Sequence, residues 1–282
     1  MTQIQATPHQ NNFGARIDGL NLSKPLAPET VEIIRQLWID HQIIYFPNQI
    51  LNHCDLERFT RYFGDFGTDP YIKPVSGHTH ILEIRREPDE AIAPFGASWH
   101  SDWSFQATPP SATLLHAKVI PPIGGDTLYA DGIRAFAALD IGLKKEIEQL
   151  TALHSARRPY SHEGFARNSS HKRSMTITPD DNAWDVQEHP LVRTHPESGH
   201  QVLWINPVYT IGIKEIDEAQ GSQLLSDLFA HALAPQFIYR HKWSANMLTM
   251  WDNRSAQHCA QGGYDGHLRI LHRTTVAGDS PV

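Results

Sequence analysis

Two histidines and an aspartate have the types and spacing of a metal site. His100-Ser101-Asp102 is a His-x-Asp unit, and His258 follows far downstream, behind Trp251-Asp252-Asn253-Arg254. In an extended segment residues i and i+2 share a face, so His100 and Asp102 can reach one ion together. Two imidazoles and a carboxylate are the facial triad of non-haem Fe(II) oxygenases, which leaves coordination positions open for a cosubstrate and O₂. Arg269 and Arg273 lie beyond His258 and alternate with Leu271 along one strand face. Two guanidiniums on one inward face repel each other unless anions sit between them, so the pair points to two acidic ligands beside the metal.

The chain has 18 histidines, so a His-x-Asp/Glu match is cheap, and context must separate the three that occur. Asp55 of His53-x-Asp55 falls where a helix should start and reads as a cap or first-turn carboxylate. Pro196 and Ser198-Gly199 turn His195-x-Glu197 into a loop corner. His100-x-Asp102 alone lies between aromatics, in Trp99 to Phe105.

The elements that must position these groups follow from the pattern. Gly14–Ile17 and Ile43–Phe46 read as strands, with an amphipathic helix from Pro28 through His41 between them. A second helix starts near Asp55 and turns Leu56, Phe59 and Phe63 inwards. Residues 71–96 read as a strand and a long loop leading to the His-x-Asp, and Ala112–Val119 as a strand. Ile133–Leu150 reads as one helix, 155–200 as a loop-rich insertion, Val202–Ile205 as a strand and Asp217–His231 as a helix. Three late strands span Phe237–His241, Met247–Trp251 and Leu268–Val276. Strands at both ends of the site, with helices between, predict a mainly β protein with flanking helices: a β-barrel or jelly-roll core.

The 282 residues show no linker or repeat, and the 40% apolar content supports one core. A single domain over 1–282 is expected. The formal charge of −7 comes without a Lys/Arg cluster, so no nucleic-acid or anionic-membrane surface is expected. No run is apolar enough to span a bilayer, and the first residues lack a secretory pattern. Cys54 and Cys259 read as free thiols in a reducing cytoplasm. Cys259 neighbours His258 but would point to the opposite strand face, so it reads as structural.

Taken together, the fragments resemble the TauD/TfdA family of Fe(II)/2-oxoglutarate-dependent dioxygenases. The matching pieces are Trp99-His100-Ser101-Asp102, Pro121-Pro122-x-Gly124-Gly125-Asp126-Thr127, Pro190 through Pro196, Trp251 through Arg254 with His258, and Arg269-x-x-x-Arg273-Thr274-Thr275. They occur in this order, and the resemblance spans Gly14 to Asp279. The resemblance implies a double-stranded β-helix (a cupin-like jelly roll) and Fe(II) held by His100, Asp102 and His258. It implies 2-oxoglutarate paired with Arg269 and hydrogen-bonded to Thr127, and a substrate acid group on Arg273. The implied reaction converts 2-oxoglutarate and O₂ to succinate and CO₂ while a substrate C–H is hydroxylated. Asp102 disfavours halogenation, which needs that position vacated for halide. Desaturation or cyclisation with the same cofactors is the alternative outcome, and a non-catalytic jelly-roll binding protein the remaining one. Relatives of this kind form dimers or tetramers, so a homo-oligomer is expected, with the apolar helix Asp217–His231 a candidate interface.

The chain also departs from the taurine branch. Where that branch has a His and a Tyr on substrate, Asp69-Pro70-Tyr71-Ile72 stands, and an acidic Asp69 would oppose a sulfonate. Tyr71-Ile72-Lys73 is closer to the aryloxyalkanoate branch, which makes Asp69, Tyr71 and Lys73 substrate-site candidates. Lys73 reads equally as an exposed loop residue. Tyr71, Trp103, Phe105 and Tyr209 read either as an apolar wall of the site or as core. The expected substrate is a small organic acid: a sulfonate, sulfate ester or carboxylate. Residues 71–96 and 155–185 are the candidate lid segments.

Overall fold

A computed structural model describes residues 4–168 and 173–282; the part of the 155–200 segment at 169–172 lies outside the described residues. Seven strands make the largest sheet, in the spatial order Gln5–Pro8, Ala15–Asp18, Ile43–Phe46, Leu248–Asp252, Ala112–Val119, Arg269–Val276 and Leu82–Arg86. Its pairings are antiparallel except between Ala15–Asp18 and Ile43–Phe46. The helix Pro28–His41 connects those two and supplies the crossover that a parallel pair requires. A smaller sheet runs Ile238–His241, Thr127–Asp131, Ala256–Ala260.

Period-2 alternation gives the large sheet two different faces. Leu114, Leu248, Met250 and Val276 point to the outer face and pack under Ile34 and Trp38 of the first helix and Leu56 and Phe59 of the helix His53–Arg61. Thr274 shares that face and exchanges a 2.7 Å hydroxyl hydrogen bond with Thr60. Their neighbours Leu115, Trp251 and Arg273 therefore point the other way, where Trp251 meets Tyr129 and His258 of the small sheet at ring-centroid distances of 5.5 and 4.7 Å. The space between the two sheets holds the candidate site. Burying these side chains anchors the helices on the sheet, and truncating Phe59 of the second helix to Ala costs about 3–5 kcal/mol.

The second helix starts as its sequence suggests. Asn52 caps it, and Asp55 returns the bond from the first turn in a capping box. Other elements differ from expectation. Ile133–Leu150 is two helices, Gly132–Ala137 and Ile141–Ile147, because Asp131 and Asp140 each cap a new start. The 155–200 segment is more structured than a loop. It contains the helices Arg157–Tyr160 and His162–Asn168, a 3-10 turn Asp181–Trp184 and the strands Gln187–Pro190 and Val192–Thr194. Strands Gln5–Pro8, Thr127–Asp131, Thr151–His154, Thr210–Ile213 and Ala256–Ala260, the last carrying His258, also exceed the expected set.

A buried ion network ties the segments around the site. Asp252 accepts from Arg254 Nε and Nη2 at 2.9 and 2.6 Å and pairs with His195 Nε2 at 3.0 Å. Arg254 also reaches Glu197, which binds Arg35 of the first helix. Arg254 and His195-x-Glu197 are thus structural, as the turn at Pro196 suggested. Burial alone would raise the Asp252 carboxyl, but Arg254 and then His195 outweigh it and hold the group well below the usual carboxylate range. A depressed folded pKa contributes stability that is present above the unfolded value, about pH 4, and is lost as pH falls below it. The protein should lose denaturant stability between pH 4 and 2.5. Asp252→Ala should remove the part of that loss due to this group and cost about 3–5 kcal/mol at pH 7, because Arg254 stays buried without its partner. Urea midpoints of both proteins across this pH range check it.

Candidate metal centre

The first two members of the triad come from a short extended segment and the third from the small sheet. His100 and His258 are joined by a two-bond antiparallel bridge: the His100 N–H donates to His258 O at 3.0 Å, and the His258 N–H to His100 O at 2.8 Å. His100 Nε2 lies 3.6 Å and His258 Nε2 3.9 Å from the same oxygen, Asp102 Oδ1. One donor atom from each of the three residues lies within 4.8 Å of the others, and all three residues are buried.

Neighbouring groups aim these donors. His100 Nδ1 hydrogen-bonds Ser98 O at 2.7 Å, which makes Nδ1 the protonated nitrogen and leaves the Nε2 lone pair for an ion. Thr113 donates to Asp102 Oδ2 at 2.6 Å, leaving Oδ1 to face the histidines. Thr113 itself accepts from Asn253 Nδ2 at 2.9 Å, and Asn253 Oδ1 accepts from Trp251 Nε1 at 2.9 Å. Ser101, between the two ligand candidates, donates to the carbonyls of Asn253 and Ala256. Burial, and then the neighbouring His100, push His258 down to about 3, so its imidazole is neutral near pH 7 and has a lone pair to give. Burial would raise Asp102, but Arg273, His258 and His100 outweigh it and keep the carboxylate ionised.

Arg269 faces the same space from the large sheet. Its guanidinium is buried between Tyr264 and Trp243, 5.8 and 5.9 Å from their ring centroids. Nη2 donates to Gly125 O at 3.0 Å, while Nε is buried with no partner among the described residues. No carboxylate of the described residues lies within ion-pair distance of it, and burial lowers its pKa. The turn that presents Gly125 explains the paired glycines. Both have positive φ, and a Cβ on Gly124 would lie 2.4 Å from Gly263 O. Thr127, just beyond this turn, accepts from Trp243 Nε1 at 3.0 Å, so its own hydroxyl proton is free for an oxygen in the cavity.

The remaining candidates separate. Arg273 is buried with Nη2 at 3.2 Å from Asp102 and 3.7 Å from Asp69, under the Trp103 ring. Asp69 is thus the charge partner of Arg273; burial pushes its carboxyl up, and Arg273 opposes that. Tyr71 is buried and stacks on Tyr160 at 4.5 Å, behind the wall of a larger cavity. Lys73 is exposed and lines neither cavity. Of the four aromatics, Tyr209 lines the larger cavity, while Trp103 and Phe105 pack behind it. Cys259 is buried, its thiol donating to Ala97 O, away from the triad.

His100, Asp102, Thr127, His258, Arg269 and Arg273 all line one cavity. The donor set is complete for a divalent ion. The orphaned Arg269 Nε marks a pocket shaped for an anion beside that donor set. Sequence reasoning missed Thr113 and Trp243, whose roles rest on contacts between distant strands; the Trp-Asp-Asn-Arg run was the visible trace of the Asn253 link. Thr113→Val keeps the side-chain shape and removes the hydroxyl that orients Asp102. It should weaken divalent-metal binding about 10- to 100-fold with a small change in melting temperature, as read by anaerobic Co(II) titration.

Comparison with known proteins agrees with this geometry. The chain is 31% identical over 285 residues to an alpha-ketoglutarate-dependent sulfate ester dioxygenase of Pseudomonas putida, covering 99% of this chain and 91% of that one. It is 30% identical to the alpha-ketoglutarate-dependent 2,4-dichlorophenoxyacetate dioxygenase of Cupriavidus pinatubonensis, covering 99% of each. Among solved structures, AAD-2 in complex with Mn(II) and N-oxalylglycine superposes with a TM-score of 0.79 at 28% identity, covering 99% of each chain. The model of the taurine catabolism dioxygenase TauD, TfdA family matches residues 5–275, and the chain belongs to that family.

Proposed function

We propose that this protein is an Fe(II)/2-oxoglutarate-dependent dioxygenase that hydroxylates a small anionic organic compound, with release of succinate and CO₂. The observation that carries it is the buried His100–Asp102–His258 cluster sharing one cavity with the uncompensated Arg269. The names of the relatives support the substrate class, since they specify a sulfate ester and an aryloxyalkanoate.

In this reading His100, Asp102 and His258 hold Fe(II), and 2-oxoglutarate and O₂ complete the cofactor set. The iron, when bound with its cosubstrate, supplies the activation of O₂ that a protein side chain cannot. The side chains supply position and charge. Arg269 holds the distal carboxylate of 2-oxoglutarate in a charge-assisted pair, and Thr127 donates its hydroxyl to the same ligand. Asp102 stays anionic and oriented through Thr113, so the metal is held without proton release at neutral pH. Arg273 balances Asp102 and Asp69 beside the reacting centre.

The single TauD/TfdA-like domain over 1–282 and the double-stranded β-helix core are part of the same proposal; the two sheets facing each other across the site support them. None of the described helices is long and apolar enough to cross a membrane. The two unpaired thiols support a reducing, cytoplasmic setting. The intact triad and the open charge on Arg269 argue against a non-catalytic binding protein. Hydroxylation is preferred to desaturation or cyclisation because both named relatives are dioxygenases of anionic compounds.

The test is 2-oxoglutarate-dependent succinate formation with Fe(II) and O₂ across sulfonates, alkyl sulfates and aryloxyalkanoates. Asp102→Ala should abolish turnover, and normal turnover by that variant would sink the reading. Arg269→Ala should cost about 2 kcal/mol or more, at least roughly 30-fold in the KM for 2-oxoglutarate, through the loss of a buried charge pair. Chelation by EDTA should stop the reaction, and added Fe(II) restore it.

A further inference from the structure

A second, larger cavity of about 740 Å³ opens from His100 towards solvent. It is within the size range of pockets for drug-sized ligands and exceeds what a two- or three-carbon acid fills. Its wall is mostly apolar, with Phe95, Tyr160, Phe165, Met175, Ile177 and Tyr209 the large contributors. It contains two fixed charges, Arg158 and Arg173, and no aspartate or glutamate among its described lining residues.

Both guanidiniums are held by backbone carbonyls. Arg158 Nη1 donates to Pro207 O at 2.7 Å and Thr210 O at 3.1 Å. Arg173 Nη2 donates to Ala93 O at 3.2 Å. Neither has a carboxylate within ion-pair distance among the described residues. Glu90 acts on Arg173 from further away; its Oε1 accepts from Ser174 and the Glu87 N–H, and its Oε2 has no hydrogen-bond partner among the described residues. Burial lowers the pKa of both arginines, as expected of cations short of a partner. Arg273 is the opposite case, since Asp102 and Asp69 already face it. A substrate anion arriving at Arg273 meets Asp69 and the metal-ligand candidate Asp102 within ion-pair distance of that guanidinium, whereas Arg158 and Arg173 have no carboxylate that close among the described residues.

We propose that Arg158 and Arg173 hold the acid group of the substrate at the outer end of this cavity. The substrate is then an amphiphilic monoanion whose apolar body lies along the cavity. A carbon remote from the acid group is presented beside His100. This rests on the dioxygenase reading above and deepens it. The C–H bond of that remote carbon becomes C–OH with one oxygen atom of O₂. The other oxygen enters succinate as 2-oxoglutarate loses CO₂, and no bond to the acid group breaks.

Hexyl sulfate and 1-hexanol are suitable probes, titrated calorimetrically and anaerobically into enzyme loaded with Fe(II) and 2-oxoglutarate. The double variant Arg158→Gln/Arg173→Gln should raise the Kd for hexyl sulfate at least 10-fold and leave that for 1-hexanol within 2-fold. It should also leave the Fe(II)–2-oxoglutarate absorption band unchanged, which shows the fold and the metal site intact. Admitting O₂ to the wild type should yield hydroxyhexyl sulfate with no inorganic sulfate. Unchanged hexyl sulfate affinity in the variant, or sulfate release by the wild type, overturns the proposal. A wild type that forms the band but does not bind hexyl sulfate also overturns it, and leaves the dioxygenase reading standing. A wild type that forms no band overturns the dioxygenase reading itself.

Discussion

The site depends on one pair of backbone hydrogen bonds, those between His100 and His258. Each segment alone presents an incomplete ligand set in a flexible chain. Joined, they place three donors around one point, with the two imidazoles 4.2 Å apart between ring centroids. Ser101 strengthens the same junction by reaching across to the carbonyls of Asn253 and Ala256. The donors are therefore set by backbone that is ordered on folding, so little further entropy is lost when an ion arrives.

Charge balance is the second constraint. Several ionised groups sit in a small buried volume, and each would be costly alone. Asp102 is offset by Arg273 beside it and by an ion when one is bound. Asp69 lies within ion-pair distance of the same Arg273 nitrogen. Arg269 is left over, with aromatic faces and a carbonyl around it but no carboxylate within ion-pair distance among the described residues, and this imbalance suits a dicarboxylate cosubstrate. Away from the metal, Asp252, Arg254, Glu197 and Arg35 form a fully partnered network, which is why they hold the architecture and do not bind ligand. The same distinction separates Arg273, which has two carboxylates within ion-pair distance, from Arg158 and Arg173, which have none among the described residues.

The fold supports this arrangement with a two-faced sheet. On the strand Arg269–Val276, Thr274 reaches a helix while Arg269 and Arg273 reach the site. A register slip of one residue would exchange those roles, so the apolar packing beneath the first two helices also protects the chemistry. The glycine pair at 124–125 shows the complementary case, where the absence of a side chain lets one turn press against Gly263 and offer a carbonyl to Arg269.

The reaction type was legible in the chain because metal ligation needs particular side chains, and strand alternation places His100 with Asp102 and Arg269 with Arg273. The same local rules found the first two helices and about half of the strands, whose apolar periodicity is independent of distant partners. They erred at Ile133–Leu150, where composition is helical throughout but two aspartate caps divide it. They also left open what Asp69, Tyr71 and Lys73 do. Folding decided that Asp69 neutralises Arg273, that Tyr71 packs behind a wall and that Lys73 stays at the surface. It also placed Trp243 on Thr127, and Arg158 and Arg173 around one cavity. Residue type and local spacing determine which chemistry a chain can perform. Which charges remain unpaired after folding depends on contacts between segments far apart in sequence, and only the tertiary structure decides that.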